Sequence, residues 1–231
     1  MKAGVGAVRC AFQRMFAMSP LSFSKSQTLP SLAPARHKRL LDIGLIVLAL
    51  PVILPLIVVL ILAVRLSSSG PALFFQTRVG RDGRRFRLVK FRSMYPDAEG
   101  RRAALLGESD RAGVCFKHKD DPRVTPVGRF LRRSSLDELP QLWNVLKGEM
   151  SLVGPRPALP EEVAVYPPVA MQRLAGLPGL TGVWQVSGRA DISFDEMVEM
   201  DVAYLRTASL RGDLGLIFRT FGAVALARGA Y

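Results

Sequence analysis

Asp137 and Glu138 stand side by side, preceded by the hydroxyls of Ser134 and Ser135 and by a basic run of Arg129, Arg132 and Arg133. Ser135 and Glu138 fit an S-x-x-E capping box, which predicts a helix starting at Ser135 with both acids in its first turn. The free N–H groups and positive dipole end of such a helix favour an anion, either a carboxylate or a phosphate. An ordinary helix cap accounts for the same four residues. Further along, Gly154-Pro155-Arg156-Pro157 places an arginine between two prolines, a stiff backbone suited to aiming a guanidinium at a phosphate or carboxylate. A second glycine-proline loop, Leu177–Gln185, runs on to Gly188-Arg189.

The elements that must position these groups divide the chain in three. Residues 1–35 form a basic extension, disordered or lying on a membrane. Residues 36–66 hold 22 uncharged residues, Ile43–Val64; a straight helix of that length reaches about 33 Å, enough to cross a bilayer core. Pro51 and Pro55 interrupt it near the middle, where each removes a helical N–H. Both flanks are basic: seven Lys or Arg precede residue 43 and eight lie between Arg65 and Arg92. The positive-inside rule places both flanks on the cytoplasmic side, so a helix bent at Pro51 and Pro55 that leaves by the face it entered is favoured over a full span.

Residues 67–231 read as a cytoplasmic domain. Leu73-Phe74-Phe75 and Phe86–Val89 predict a hairpin across Gly80-Arg81-Asp82-Gly83, leading to Lys90-Phe91-Arg92-Ser93-Met94. Lys90 and Arg92, two apart on a strand, would face one anion. Residues 97–120 are polar and helical in part, and His118 there has no expected role. Thr125 and Pro126 cap a helix over Val127–Arg133. Phe194–Arg206 predicts an amphipathic helix, and Leu214–Ala227 is apolar but too short to span, which suits an interfacial position. The fold class is therefore α+β and mostly helical: a Pro-kinked re-entrant membrane helix, a β-hairpin and interfacial amphipathic helices. The net charge of +13 favours anionic partners. Cys10 and Cys115 are too few for a disulfide framework or zinc site.

Taken in order, Lys38-Arg39-Leu40-Leu41-Asp42, the Pro-broken apolar run, Gly70-Pro71 with Gln76 and Arg78, Lys90–Met94, Asp121-Pro122-Arg123-Val124-Thr125, Ser135–Gln141, Gly154–Pro157 and Pro178–Gly182 with Gly188-Arg189 resemble the bacterial sugar transferase family, the monotopic phosphoglycosyl transferases. The resemblance covers residue 36 onward; Leu50 stands where the family often has Ser before the first membrane proline. It implies transfer of a hexose-1-phosphate from a UDP-sugar to undecaprenyl (polyprenyl) phosphate with release of UMP, the first membrane step of exopolysaccharide or other surface-glycan synthesis. It implies Mg²⁺, with Asp137 as nucleophile and both Asp137 and Glu138 as catalytic and metal-binding residues. Lys90, Arg92, Arg133, Arg156 and Arg189 are the expected phosphate contacts. A carboxylate attacking phosphorus gives an acyl-phosphate, splitting one hard transfer into two. The tail Arg228–Tyr231 resembles that of exopolysaccharide-initiating enzymes and favours galactose or glucose. The implied setting is the cytoplasmic face of the bacterial inner membrane, among lipid and downstream glycosyltransferases, with a homo-oligomer allowed.

A basic lipid- or nucleic-acid-binding module explains the charge but not an acid pair beside Arg156, and Phe86 and Phe91 are strand residues rather than base-stacking platforms; nucleic acid is not an expected partner. An inactive scaffold would have no use for Asp137, Glu138 and Arg156 together. The topology is directly testable. Single cysteines at positions 24 and 67 should both be protected from a membrane-impermeant reagent in intact spheroplasts; labelling of one alone would establish a span.

Overall fold

The structure, a computed structural model, describes residues 35–98, 100–101, 121–188 and 192–225, together with Leu29 and Leu32. Arg189, His118, most of the 1–35 extension and most of the polar stretch 97–120 lie outside the described residues. The first helix, α1 (Arg36–Ser67), runs through both Pro51 and Pro55. Among the described residues it is the one helix long and apolar enough to cross a membrane, and only 11% of its most apolar stretch is buried. Leu48, Val52, Val58, Val59 and Leu62 are exposed, a surface that fits membrane association.

The opposite stripe of α1 is a core element of the rest of the chain. Ile46 packs with Phe86, Leu88, Val145 and Met150, whereas Leu60 and Val64 pack with Ala72, Phe91 and Leu131. The polar residues at its start are moorings. Lys38 Nζ donates to Asp213 Oδ2 at 2.6 Å and to the Tyr204 hydroxyl at 3.2 Å. Arg39 donates to the carbonyls of Val145 and Leu146, at the C-terminal end of the helix that carries them. Asp42, buried, accepts from Ser151 Oγ at 2.8 Å and from the Leu152 N–H at 3.2 Å. At the far end, Arg92 donates to the Ser68 and Ser69 carbonyls at 2.7 and 2.5 Å. Both ends of α1 are thus tied to one domain.

The hairpin joins β1 (Leu73–Val79) to β2 (Arg85–Phe91), antiparallel, through a 3₁₀ turn in which Asp82 is left-handed at φ 57°. Helix α2 (Pro126–Arg133) starts as its sequence predicts, with Thr125 Oγ1 accepting from the Gly128 N–H at 2.9 Å. The predicted helix at Ser135 is replaced by a 3₁₀ segment, Leu136–Gln141, and the α-helical turns begin only at α3 (Leu142–Lys147). Ser135 itself is left-handed at φ 55° and makes no capping bond. Two causes are visible. Pro140 has no N–H to return to Leu136, so an α-helix begun at Ser135 loses the bond that would extend it past its first turn, and the Glu138 carboxylate is taken by Lys90 at 2.7 Å instead of the Ser135 backbone.

A second sheet, absent from the sequence reading, pairs β3 (Ser151–Val153) with β4 (Gly179–Thr181) in parallel. Between them lie the short helices α4 (Pro160–Ala164) and α5 (Pro168–Met171), and α6 (Val183–Ser187) follows. Helices α7 (Phe194–Thr207), opened by a Ser193–Glu196 capping box, and α8 (Leu210–Ala225) complete the described chain. Leu29 and Leu32 dock on the domain, the latter through its N–H to the Ala175 carbonyl at 2.6 Å.

The free edge of β2 is closed by a side chain. Asn144, fully buried, accepts from the Val89 N–H at 3.1 Å and donates to the Arg87 carbonyl at 2.8 Å and to Glu149 Oε2 at 2.7 Å. One carboxamide supplies the acceptor and donor that a neighbouring strand would provide. Asn144→Leu leaves all three groups unpaired and should cost about 3 kcal/mol, read as a Tm lower by roughly 6–12 °C. An unchanged Tm would show that this edge needs no cover.

Candidate active site

Strand alternation sets the floor of the site. Gln76 and Arg78 of β1 lie opposite Leu88 and Phe86, and Phe74 lies opposite Lys90, so Gln76, Arg78, Leu88 and Lys90 share one face. The 3₁₀ segment crosses β2 on this face. Lys90 Nζ donates to Glu138 Oε1 at 2.7 Å, and Arg156 reaches the same oxygen at 3.6 Å. Arg78 stands behind them, donating to Gln76 Oε1 at 3.1 and 2.6 Å and to the Pro157 carbonyl at 3.0 Å. Arg78, Lys90, Glu138, Gln141 and Arg156 line an open cleft with Leu88, Pro157, Gly179 and Leu180.

Asp137 occupies a different place. Successive residues of a 3₁₀ turn diverge by roughly 120°, and Asp137 is 8% exposed and lies outside the cleft lining. Burial raises its proton affinity, and the charge of Glu138 adds to this, whereas Lys90, Arg132 and Arg156 pull the other way. For Glu138 burial also opposes ionisation, but Lys90 and Arg156 outweigh it and hold this carboxyl well below the usual range. Two adjacent acids therefore differ: Glu138 is held ionised by its two cations, whereas burial shifts Asp137 in the opposite direction, towards its protonated form. Burial, with Arg156 beside it, pushes Arg78 down to about 10, so it remains a cation at neutral pH.

The loop bearing Arg156 is held backbone to backbone. The Gly154 N–H donates to the Thr181 carbonyl at 2.9 Å, Gly179 N–H to Pro155 at 2.8 Å, and Ser151 N–H to Pro178 at 2.8 Å. A Cβ on Gly179 would lie 2.0 Å from the Gly154 nitrogen, which is why that position admits only glycine. Below the loop, the Arg156 carbonyl accepts from Arg173 at 3.3 Å, and Arg173 is itself bound to Asp201 at 2.7 Å, both buried. Burial lifts Asp201 to about 6 against the pull of Arg173.

The phosphate contacts expected from sequence separate on this geometry. Lys90 and Arg156 meet at Glu138. Arg92 does not join them: β2 ends at Phe91, and the Arg92 guanidinium is buried against the Ser68–Ser69 turn. Arg133 is exposed, and it is Arg132, donating Nε to Ser93 Oγ at 2.9 Å, whose charge bears on Asp137. Arg78 and Gln141 were not among the expected site residues. Strand register is the signal that would have found Arg78, which sits on the Lys90 face. The Asp121–Arg123 segment is structural: Arg123 grips Asp121 at 2.6 Å, and the Thr125 N–H donates to Ser93 at 3.1 Å.

The model of the family described as "Bacterial sugar transferase" matches residues 33–227. The chain belongs to the bacterial sugar transferase family. Three relatives illustrate the range of this sugar transferase family. The galactosyl transferase CpsE of Streptococcus agalactiae serotype III (strain NEM316) is 46% identical over 194 residues, 84% of this chain and 43% of the relative. The exopolysaccharide production protein ExoY of Sinorhizobium fredii (strain NBRC 101917 / NGR234) is 40% identical over 198 residues, 84% of this chain and 88% of the relative. The UDP-glucose:undecaprenyl-phosphate glucose-1-phosphate transferase of Caulobacter vibrioides (strain ATCC 19089 / CIP 103742 / CB 15) is 39% identical over 211 residues, 88% of this chain and 75% of the relative. This sugar transferase chain spans less than half the length of CpsE.

The contact between the two glycine loops gives a test of what holds Arg156. Gly179→Ala should destabilise the protein by about 2 kcal/mol through forced overpacking. Gly215→Ala, where a Cβ on α8 meets nothing within 4 Å, should be neutral or mildly stabilising because alanine favours a helix. Equal melting temperatures for the two variants would refute the loop clamp.

Proposed function

We propose that this chain transfers a hexose-1-phosphate from a UDP-sugar to undecaprenyl phosphate through a covalent aspartyl intermediate, releasing UMP. The observation that carries this reading is the acid pair, Asp137 buried and Glu138 half-buried and ionised, set among Lys90, Arg132 and Arg156 beside a cationic cleft. Asp137 Oδ attacks the β-phosphorus of the UDP-sugar. The bond from that phosphorus to the bridging oxygen breaks, and UMP leaves with the electron pair. A phosphate oxygen of undecaprenyl phosphate then attacks the same phosphorus and expels the Asp137 carboxylate. Only the ionised form of Asp137 attacks, and the three cations favour that form as they offset the charge of the diphosphate. The helix dipole is not needed for this, since side-chain cations stand where a helix end was expected.

Among the described residues no cluster of three metal-ligating side chains exists. Asp137 and Glu138 nevertheless fit Mg²⁺, which takes one or two protein carboxylates and completes its shell with water and substrate phosphate oxygens. Bound there, it would supply neutralisation of the diphosphate charge.

The same reading places the domain on the cytoplasmic face of the inner membrane, with α1 entering and leaving by that face. A spanning helix separates its ends by a hydrocarbon core of roughly 30 Å. Here Lys38, Arg39 and Asp42 at one end and Leu60, Val64 and the Ser68–Ser69 turn at the other are bound by one domain, which supports the re-entrant path. The names of the relatives favour galactose or glucose, and ExoY favours exopolysaccharide synthesis, where downstream glycosyltransferases would extend the lipid-linked sugar.

The covalent step decides the mechanism. Wild-type protein given labelled UDP-glucose or UDP-galactose without undecaprenyl phosphate should release UMP and gain the mass of one phospho-hexose on the peptide containing Asp137. Asp137→Asn should abolish both signals, and Glu138→Gln should slow turnover at least a hundredfold. UMP release only when undecaprenyl phosphate is present, with no adduct, would establish direct transfer through a ternary complex.

A further inference from the structure

Gln141 has no part in the chemistry above. In the 3₁₀ segment it follows Glu138 by three residues, the interval at which side chains eclipse, so both reach the same cleft. It is 3% exposed, and its Nε2 has no hydrogen-bond partner. Among the described residues that line the cleft, it alone buries a polar atom without one. The neighbouring cations are engaged: Arg78 with Gln76 and Pro157, Lys90 and Arg156 with Glu138. A buried amide donor left open in a folded chain is unfavourable unless a ligand or an ordered water supplies the acceptor, and in a substrate cleft that acceptor is exchangeable. Three cations and one carboxylate line this cleft, so the ligand part that enters it is anionic.

We propose that Gln141 is a substrate-positioning donor whose Nε2 binds a phosphoryl oxygen of the nucleoside diphosphate. The assignment rests on the phosphoglycosyl-transfer reading for its ligand. A neutral, directional donor adds to Arg78, Lys90 and Arg156 what charge alone lacks: it fixes the rotation of the diphosphate about its own axis, and with it the line of attack on phosphorus.

The test is UDP binding to the full chain in detergent or nanodiscs with Mg²⁺, by calorimetry, beside thermal melts. Gln141→Met keeps the length of the side chain and removes the donor. It should weaken UDP at least tenfold while leaving Tm equal or higher, because a buried unpaired group has been removed. Gln141→Glu should weaken UDP further by setting a carboxylate against phosphate. Unchanged UDP affinity in Gln141→Met overturns the proposal, as does a loss that tracks a Tm lower by several degrees, the mark of a structural role. Weakened UDP-glucose with unchanged UDP overturns it in favour of a sugar contact, and wild type that binds no UDP overturns it outright. Failure of the transfer reading shows separately: wild type would release no UMP from UDP-sugars, while the UDP series still decides Gln141.

Discussion

Two carboxylates on adjacent residues repel one another, and burial makes the repulsion stronger by removing the water that would screen it. The arrangement around residues 137 and 138 resolves this by treating the two unequally. Glu138 is given two cations on one oxygen, whereas Asp137 is turned to another side of the 3₁₀ segment and receives its compensation at longer range. The 3₁₀ geometry matters because its wider angle per residue separates the two groups further than an α-helical turn would. Pro140 is part of the same solution, since it denies the segment the α-helical bond that would draw the acids closer together in angle.

Unequal treatment works only if the cations cannot drift. Lys90 is fixed by β2, whose inner edge pairs with β1 and whose outer edge is closed by Asn144. Arg156 is fixed by a loop with no space between its backbone and that of Gly179, resting on the buried Arg173–Asp201 pair. A buried ion pair adds little to stability by itself. Here its use is geometric, holding the carbonyl of the residue that carries the guanidinium. Local rigidity at a site of like charges is what keeps the two acids in unequal surroundings.

What could be read from the sequence follows the same division. The hairpin, the Thr125 cap and the amphipathic α7 were legible because period-2 alternation, capping chemistry and 3.6-residue periodicity are local. The helix at Ser135 was misread for a reason that is not local: Lys90, 48 positions earlier, takes the Glu138 carboxylate. The parallel β3–β4 pair was invisible since three-residue strands carry no period. Two-residue spacing pairs Arg92 with Lys90 but carries no register, and the basic run before Ser134 does not tell the half-buried Arg132 from the exposed Arg133. Arg92 falls one residue past the end of its strand and turns back to the end of α1. Membership of the family was legible in the ordered set of motifs, and the structure gives several of them a mechanical task. Lys38, Arg39 and Asp42 moor α1, and Asp121, Arg123 and Thr125 hold the exit of β2 against α2.

The position of Ile46, Leu60 and Val64 inside two of the domain's apolar clusters changes what the word anchor means for this chain. An anchor that merely tethers can be trimmed to yield a soluble enzyme. Here trimming would strip Phe86, Leu88, Phe91 and Leu131 of part of their apolar cover, including the residues of β2 that flank Lys90. Solubilisation by truncation and retention of the folded site are therefore incompatible aims, and the lipid-facing helix must accompany the domain into any detergent, nanodisc or chimera in which it is to be studied.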